Sequence, residues 1–185
     1  SIFGGMGQTR TSTRREPRRP QAYEQPVTIS FDEAFRGTER VLQLDDRRLE
    51  VKIPAGAKTG TKVRVAGAGP AGPNGQHSDI YLVIDVTPDQ RFERKGNDLY
   101  GETVVDLYTA VLGGKVNVNT PAGNVVLTIP AGTQPGQMIR LAGRGMPVLR
   151  EANKFGDMYV RVKVQLPRKL NDEQRALFEK LAQLK

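Results

Sequence analysis

The sequence predicts a mainly β protein: two tandem, similar, β-sandwich-like subdomains with short helices, followed by a C-terminal helix. Three observations predict it. First, apolar and polar residues alternate in short stretches. Leu49, Val51 and Ile53 stand between Arg48, Glu50 and Lys52, a period of two that belongs to strands with one buried face. Second, the chain repeats itself at a spacing of 76 residues. Ile53-Pro54-Ala55-Gly56 returns as Ile129-Pro130-Ala131-Gly132, Gly60 as Gly136, and Arg64, Ala66, Gly67 and Gly69 as Arg140, Ala142, Gly143 and Gly145. Third, after Pro167 the apolar spacing changes to that of a helix: Leu177, Phe178, Leu181 and Leu184.

The elements follow in order. Residues 1–22 are rich in Gly, Thr, Arg and Pro and poor in aliphatic side chains, so they read as a flexible basic linker. Subdomain I is expected over 23–90. Val27, Ile29 and Phe31 open its strands. Asp32 to Gly37 reads as one helical turn, acidic at its start and closed by glycine. Thr38–Leu44, the Leu49 row, Val63 with Val65, and Ile80 with Leu82, Ile84 and Val86 supply further strands. The pair Asp45-Asp46 falls at a turn. Subdomain II is expected over 97–167, its helical turn being Asp106 to Gly113. A helix over 170–184 starts at Asn171, with Gln174 three places on as in a capping box. It is too short to stand alone. Its apolar face docks on its own domain or on another copy.

Composition excludes several classes. There is no cysteine and one histidine, His77, so disulfides and cysteine-built zinc sites are out. Neither a metal nor any other cofactor is expected. No apolar run approaches the ~20 residues of a membrane span, and no secretory signal is visible. The absence of cysteine fits a reducing, cytoplasmic setting. The first residue is serine, which suggests a processed or truncated chain. Of the net charge of +8, half sits in residues 1–20, where Arg10, Arg14, Arg15, Arg18 and Arg19 face only Glu16. That tail keeps a nucleic-acid reading open, although a nucleic-acid domain more often clusters its charge on the folded part.

Gly67-Ala68-Gly69-Pro70-Ala71-Gly72 satisfies GxGxxG after a strand, but Pro70, Pro73 and Gly75 forbid the helix that a dinucleotide site requires. A long flexible loop is expected there instead. His77 lies in that loop without nucleophile or carboxylate partners at motif spacing, so a solvated side chain is expected and no catalytic residue is assigned. Two strands carry apolar residues on both faces. Arg40, Leu42 and Leu44 oppose Val41, and Ile80, Leu82 and Ile84 oppose Tyr81 and Val83. The surplus means either a second packed layer or an exposed apolar groove.

Residues 23–184 resemble the C-terminal substrate-binding region of DnaJ-family (J-domain) co-chaperones. The carrying segments are Val27 to Gly37, Ile53 to Gly56, Phe92-Glu93-Arg94-Lys95-Gly96-Asn97-Asp98-Leu99-Tyr100, Pro130 to Gly136, Gly143-Arg144-Gly145-Met146-Pro147 and Gly156 to Val160. Zinc-binding members insert CxxCxGxG repeats. Their absence makes this chain similar to the zinc-free, CbpA-like type. The His-Pro-Asp tripeptide of the J domain does not occur in these 185 residues, so this stretch alone is not expected to stimulate a DnaK-type ATPase.

The resemblance implies a two-legged, mainly antiparallel β structure and makes the last helix a dimerisation helix, through Leu177, Phe178, Leu181 and Leu184. It implies binding of unfolded client polypeptides in a shallow groove of the first subdomain, at Arg40, Leu42, Leu44 and Leu82, with Phe92 as a further candidate. It offers Arg40 and Arg47 for the acidic tail of the DnaK-type chaperone. The implied function is that of a non-enzymatic co-chaperone fragment that dimerises and delivers clients. The alternative is a basic architectural DNA-binding protein whose contact lies in the tail.

Overall fold

The computed structural model describes residues 22–44 and 46–184. The basic segment expected to be a linker, apart from Ala22, lies outside the described residues, as does Asp45 of the Asp45-Asp46 turn. Asp46 itself is in a turn.

Eleven strands and three helices are described, in the order β1 Tyr23–Ile29, α1 Phe31–Arg36, β2 Thr38–Leu44, β3 Arg47–Ile53, β4 Lys62–Val65, β5 Ile80–Val86, β6 Glu93–Lys95, β7 Asp98–Asp106, α2 Leu107–Leu112, β8 Gly114–Thr120, β9 Gly123–Ile129, β10 Met138–Leu141, β11 Met158–Gln165 and α3 Asp172–Gln183. Phe31 opens α1 and does not extend β1.

The architecture is mainly β and duplicated. The first unit has a sheet ordered β1-β5-β4 and a hairpin β2-β3. The second has β10-β11-β7-β6 and a hairpin β8-β9. In both, the strand that precedes the short helix lies parallel to the long late strand: Tyr23 opposite Ile80 in one, Leu99 opposite Met158 in the other. The remaining pairings are antiparallel. One difference matters below. β6 pairs with β7 over Asp98–Tyr100, whereas β1 pairs only with β5 among the described residues and carries Pro26 in its middle.

Local chemistry explains the repeated turns. Ser30 caps α1 by accepting from the Glu33 amide, and the Glu33 carboxylate accepts from the Ser30 amide at 2.8 Å. Asp106 caps α2 through the Thr109 amide and hydroxyl. Such caps contribute about 1 kcal/mol each. Gly37 and Gly113 end the two helices at φ of 78° and 82°, with no room for a Cβ beside Ile53–Ala55 or Ile129–Ala131. A carboxylate clasp recurs as well. Asp79 accepts from the Gly67 amide and pairs with Arg64, and Asp157 accepts from the Gly143 amide and pairs with Arg140. Both carboxyls are held below the ordinary aspartate range, first by the backbone amide and then by the arginine.

The loop at Gly67–Ser78 is held rather than loose. The Gly69 amide donates to the Ser78 carbonyl, the Ser78 amide to the Pro70 carbonyl and the Gly72 amide to the Gln76 carbonyl, and Ala71 bridges His77. The loop expected there thus carries its own backbone bonds. The core is one apolar cluster running through both units, with Ile29, Ile53, Leu82 and Ile84 in the first and Leu99, Val105, Ile129 and Val160 in the second.

Candidate apolar groove and helical face

Two surfaces of the folded chain collect the residues of interest. The first is a groove of about 570 Å³ in the first unit. Tyr23, Glu24 and Gln25 of the edge strand β1 form one wall, and Leu44 and Arg47 at the tip of the β2-β3 hairpin form the other. Ala68 to Ala71 and His77 close one end, and Ile80 lies at the base. The alternation of β2 places Leu44 on the half-buried side and Val41 on the exposed side. His77 is exposed. Its Nδ1 lies 2.9 Å from the Gly69 carbonyl oxygen, and the Arg47 guanidinium lies 3.0 Å from Nδ1 and 3.3 Å from Nε2. That contact holds the Arg47 side chain at the groove.

The predicted residues separate. Leu44 and Arg47 line the groove together. Leu42 is half-buried and packs on the core margin, opposite Leu49. Arg40 is committed elsewhere: its guanidinium pairs with Glu33 at 2.8 Å, and its Nε is buried without a partner. An acidic tail would have to compete with Glu33, whose carboxyl is held low by the Ser30 amide and then by Arg40 itself.

Leu82 is 0% exposed. It sits on the inner face of β5 between β1 and β4, so the exposure expected of a groove residue is absent. Phe92 is also buried, stacked on Phe31 at 5.6 Å between ring centres, away from the groove. Both side chains are core, because the inner face of a three-stranded sheet and the start of α1 need apolar filling. Sequence reasoning missed Tyr23 and Ile80, which become groove residues only once β1 lies parallel to β5.

The second surface lies on α2 and α3. Tyr108 packs on Phe178 at 6.3 Å. Around that contact is a cavity of about 630 Å³ with almost no polar lining, formed by Leu107, Tyr108, Val111 and Leu112 of α2 with Leu177, Phe178, Leu181 and Leu184. Leu112 and Leu184 are each 75% exposed, and Leu181 is 62% exposed. So the α3 face has a partial partner in α2, and the two helices together leave an open apolar patch. The α2 share was not foreseen, although a signal existed. α1 reads Phe-Asp-Glu-Ala-Phe-Arg, while its copy reads Leu-Tyr-Thr-Ala-Val-Leu with no charge at all. A six-residue exposed helix without a charge has an apolar face to cover.

No group of three or more metal-ligating side chains occurs among the described residues, and no described helix is long and apolar enough to cross a membrane.

Comparison with known proteins places these surfaces in context. Residues 23–167 match the family model of the DnaJ C terminal domain. A curved DNA-binding protein of Coxiella burnetii is 38% identical over 199 residues, covering 99% of this chain and 62% of the relative. A chaperone protein DnaJ of Deinococcus proteolyticus is 39% identical over 184 residues, covering 99% of this chain and 57% of the relative. A DnaJ-like protein of Synechocystis is 37% identical over 179 residues, covering 97% and 51%. The chain thus spans between half and two thirds of the length of these relatives.

Proposed function

Given that this chain belongs to the DnaJ C-terminal domain family, a non-enzymatic co-chaperone domain, we propose that it captures unfolded polypeptide in the groove of its first unit and works as a homodimer through the α2/α3 face. The observation that carries the reading is the groove itself. It is walled by Tyr23 and Leu44, based on Ile80, and bordered by the open edge of β1. An extended client segment adds to a sheet edge through its backbone while its apolar side chains fill the hollow. Backbone pairing reads no sequence, which suits a protein that must accept many clients. Arg47 lies at the mouth and favours acidic client ends or the acidic tail of a DnaK-type partner. Arg40 serves the fold through Glu33.

The homodimer reading rests on chemistry. An open, mostly apolar cavity on two helices, with Gln174 and Lys180 at its margin, is matched by a copy of itself across a two-fold axis. Two grooves on one scaffold then raise avidity for a client long enough to reach both.

The experiment is titration of a fluorescent, permanently unfolded polypeptide into the chain, read by anisotropy, with Leu44→Ser beside the parent. Weakened capture at unchanged thermal stability supports the groove. Undiminished capture rejects it.

Relatives named for curved DNA keep a second reading alive, favoured by the five arginines of residues 1–20. Binding of that kind is a phosphate contact that collapses with salt, whereas apolar capture does not.

A further inference from the structure

The two units meet at a junction built from the repeated turn. In the first unit the turn Pro54–Ala57 is covered. The Gly56 amide donates to the Ala34 carbonyl of α1, and the carbonyls of Gly56 and Ala57 point at Arg94 of β6. The Arg94 guanidinium donates to Ala57 at 2.7 Å and to Gly56 at 2.9 Å, while its Nε donates to Gly96 at 2.8 Å. One planar fork thus satisfies carbonyls from both units, a geometry only arginine provides. A Cβ on Gly56 would overlap the Pro147 carbonyl oxygen and lie 2.9 Å from the Leu149 amide. Phe31 on Phe92, Phe35 near Phe155 and Arg91 on Asp32 complete the contact. In the second unit the same turn, Pro130–Gly132, is exposed, and nothing lies within 4 Å of a Cβ built on Gly132.

We propose that Arg94 and the Pro54–Ala57 turn form a fixed joint, so that the two units turn as one body and the groove keeps a constant orientation to the α2/α3 face. The joint holds whether or not the groove takes clients. Its strength comes from two part-buried carbonyls that accept from the Arg94 fork, and from a backbone-to-backbone approach at Gly56 that leaves no space for a Cβ.

The duplication supplies its own control. Gly56 and Gly132 have φ of 89° and 78°, so alanine strains the backbone alike at both, but only Gly56→Ala pushes against the other unit. The chain has no cysteine, so nitroxides placed at Lys52→Cys and Thr128→Cys, equivalent exposed strand positions, report one distance between units. Labelled chain is diluted into excess unlabelled chain so that only distances within one molecule are read by pulsed dipolar spectroscopy. We expect one narrow distribution in the parent and in Gly132→Ala. Arg94→Gln and Gly56→Ala should at least double its width. A narrow distribution in Arg94→Gln, or equal broadening in Gly132→Ala, overturns the joint. Should Arg94→Gln fail to fold, the glycine pair decides alone: unequal broadening supports the joint and equal behaviour rejects it.

Discussion

Leu82 and Leu44 should fail in opposite ways when shortened. Leu82 is wholly buried between β1 and β4. Leu82→Ala removes buried apolar volume and leaves a cavity, which costs about 2–5 kcal/mol. For a chain of this size 1 kcal/mol moves the thermal midpoint by about 2–4 °C, so a fall of roughly 4–20 °C is expected. Leu44 is half-buried already and borders the groove. Full burial of a leucine is worth roughly 1.5–3 kcal/mol, so a client covering the exposed part of Leu44, about a third at most, gains at most about 0.5–1 kcal/mol. Leu44→Ser should therefore weaken capture roughly 2–5-fold, at 1.4 kcal/mol per factor of ten, with a midpoint shift of a few degrees at most. Val41→Ser, on the other face of β2, should change neither. The assays are differential scanning calorimetry at one fixed protein concentration, since association shifts the midpoint, and anisotropy of a labelled unfolded polypeptide. Loss of capture in Leu82→Ala with an unmoved midpoint would refute the placement of Leu82 in the core. Unchanged capture in Leu44→Ser would refute the groove.

Three further outcomes are expected. Leu181→Asp places an unpaired carboxylate in an apolar contact, at a cost of several kcal/mol, and should convert a dimer to monomer in sedimentation velocity. Leu112→Asp on α2 should do the same, and a dimer of full strength in Leu112→Asp would remove α2 from the interface. The clasps at Asp79 and Asp157 have depressed folded-state pKa values, so their stabilisation is present above the ordinary aspartate pKa of about 4 and is lost as pH falls below it. A thermal midpoint measured from pH 6 down to pH 3 should fall less steeply in the double variant Asp79→Asn, Asp157→Asn, and an equally steep fall would contradict this. Deleting residues 1–20 should abolish any low-salt retardation of duplex DNA in a gel, and retention that survives salt would favour a DNA-binding function for the folded part.

Much of the fold was legible because the repeat is written in residues with fixed duties. Arg64, Gly67 and Asp79 must recur together for a carboxylate to bridge an arginine and a turn amide, and they do. The turns at Gly37 and Gly113 demand glycine whatever surrounds them. The capping box at Asn171 announced α3. The parallel pairing of β1 with β5 left no local trace, because most of the unit intervenes between the two strands. Without it the faces of β5 could not be told apart: alternation in Ile80–Val86 gives apolar residues on both sides, and periodicity does not say which side is covered. Leu82 was consequently placed in the groove, whereas Ile80, two residues earlier, is the one at its base. The burial of Phe92 was not legible for a related reason. Its covering partner, Phe31, comes from the other unit, and contacts between units are not encoded in either alternation.

Pro26 gives the edge of β1 a further property. A strand edge that accepts any extended chain is also a template on which copies of the protein, or client upon client, could stack into a growing cross-β ribbon. Proline contributes no N–H to any ladder, so β1 offers one backbone donor fewer at Pro26. The second unit needs no such break near Asp98–Tyr100, where β6 already occupies the edge. On the proposed reading, a client segment added at β1 would be limited to a short length of pairing, which works against growth of a fibril.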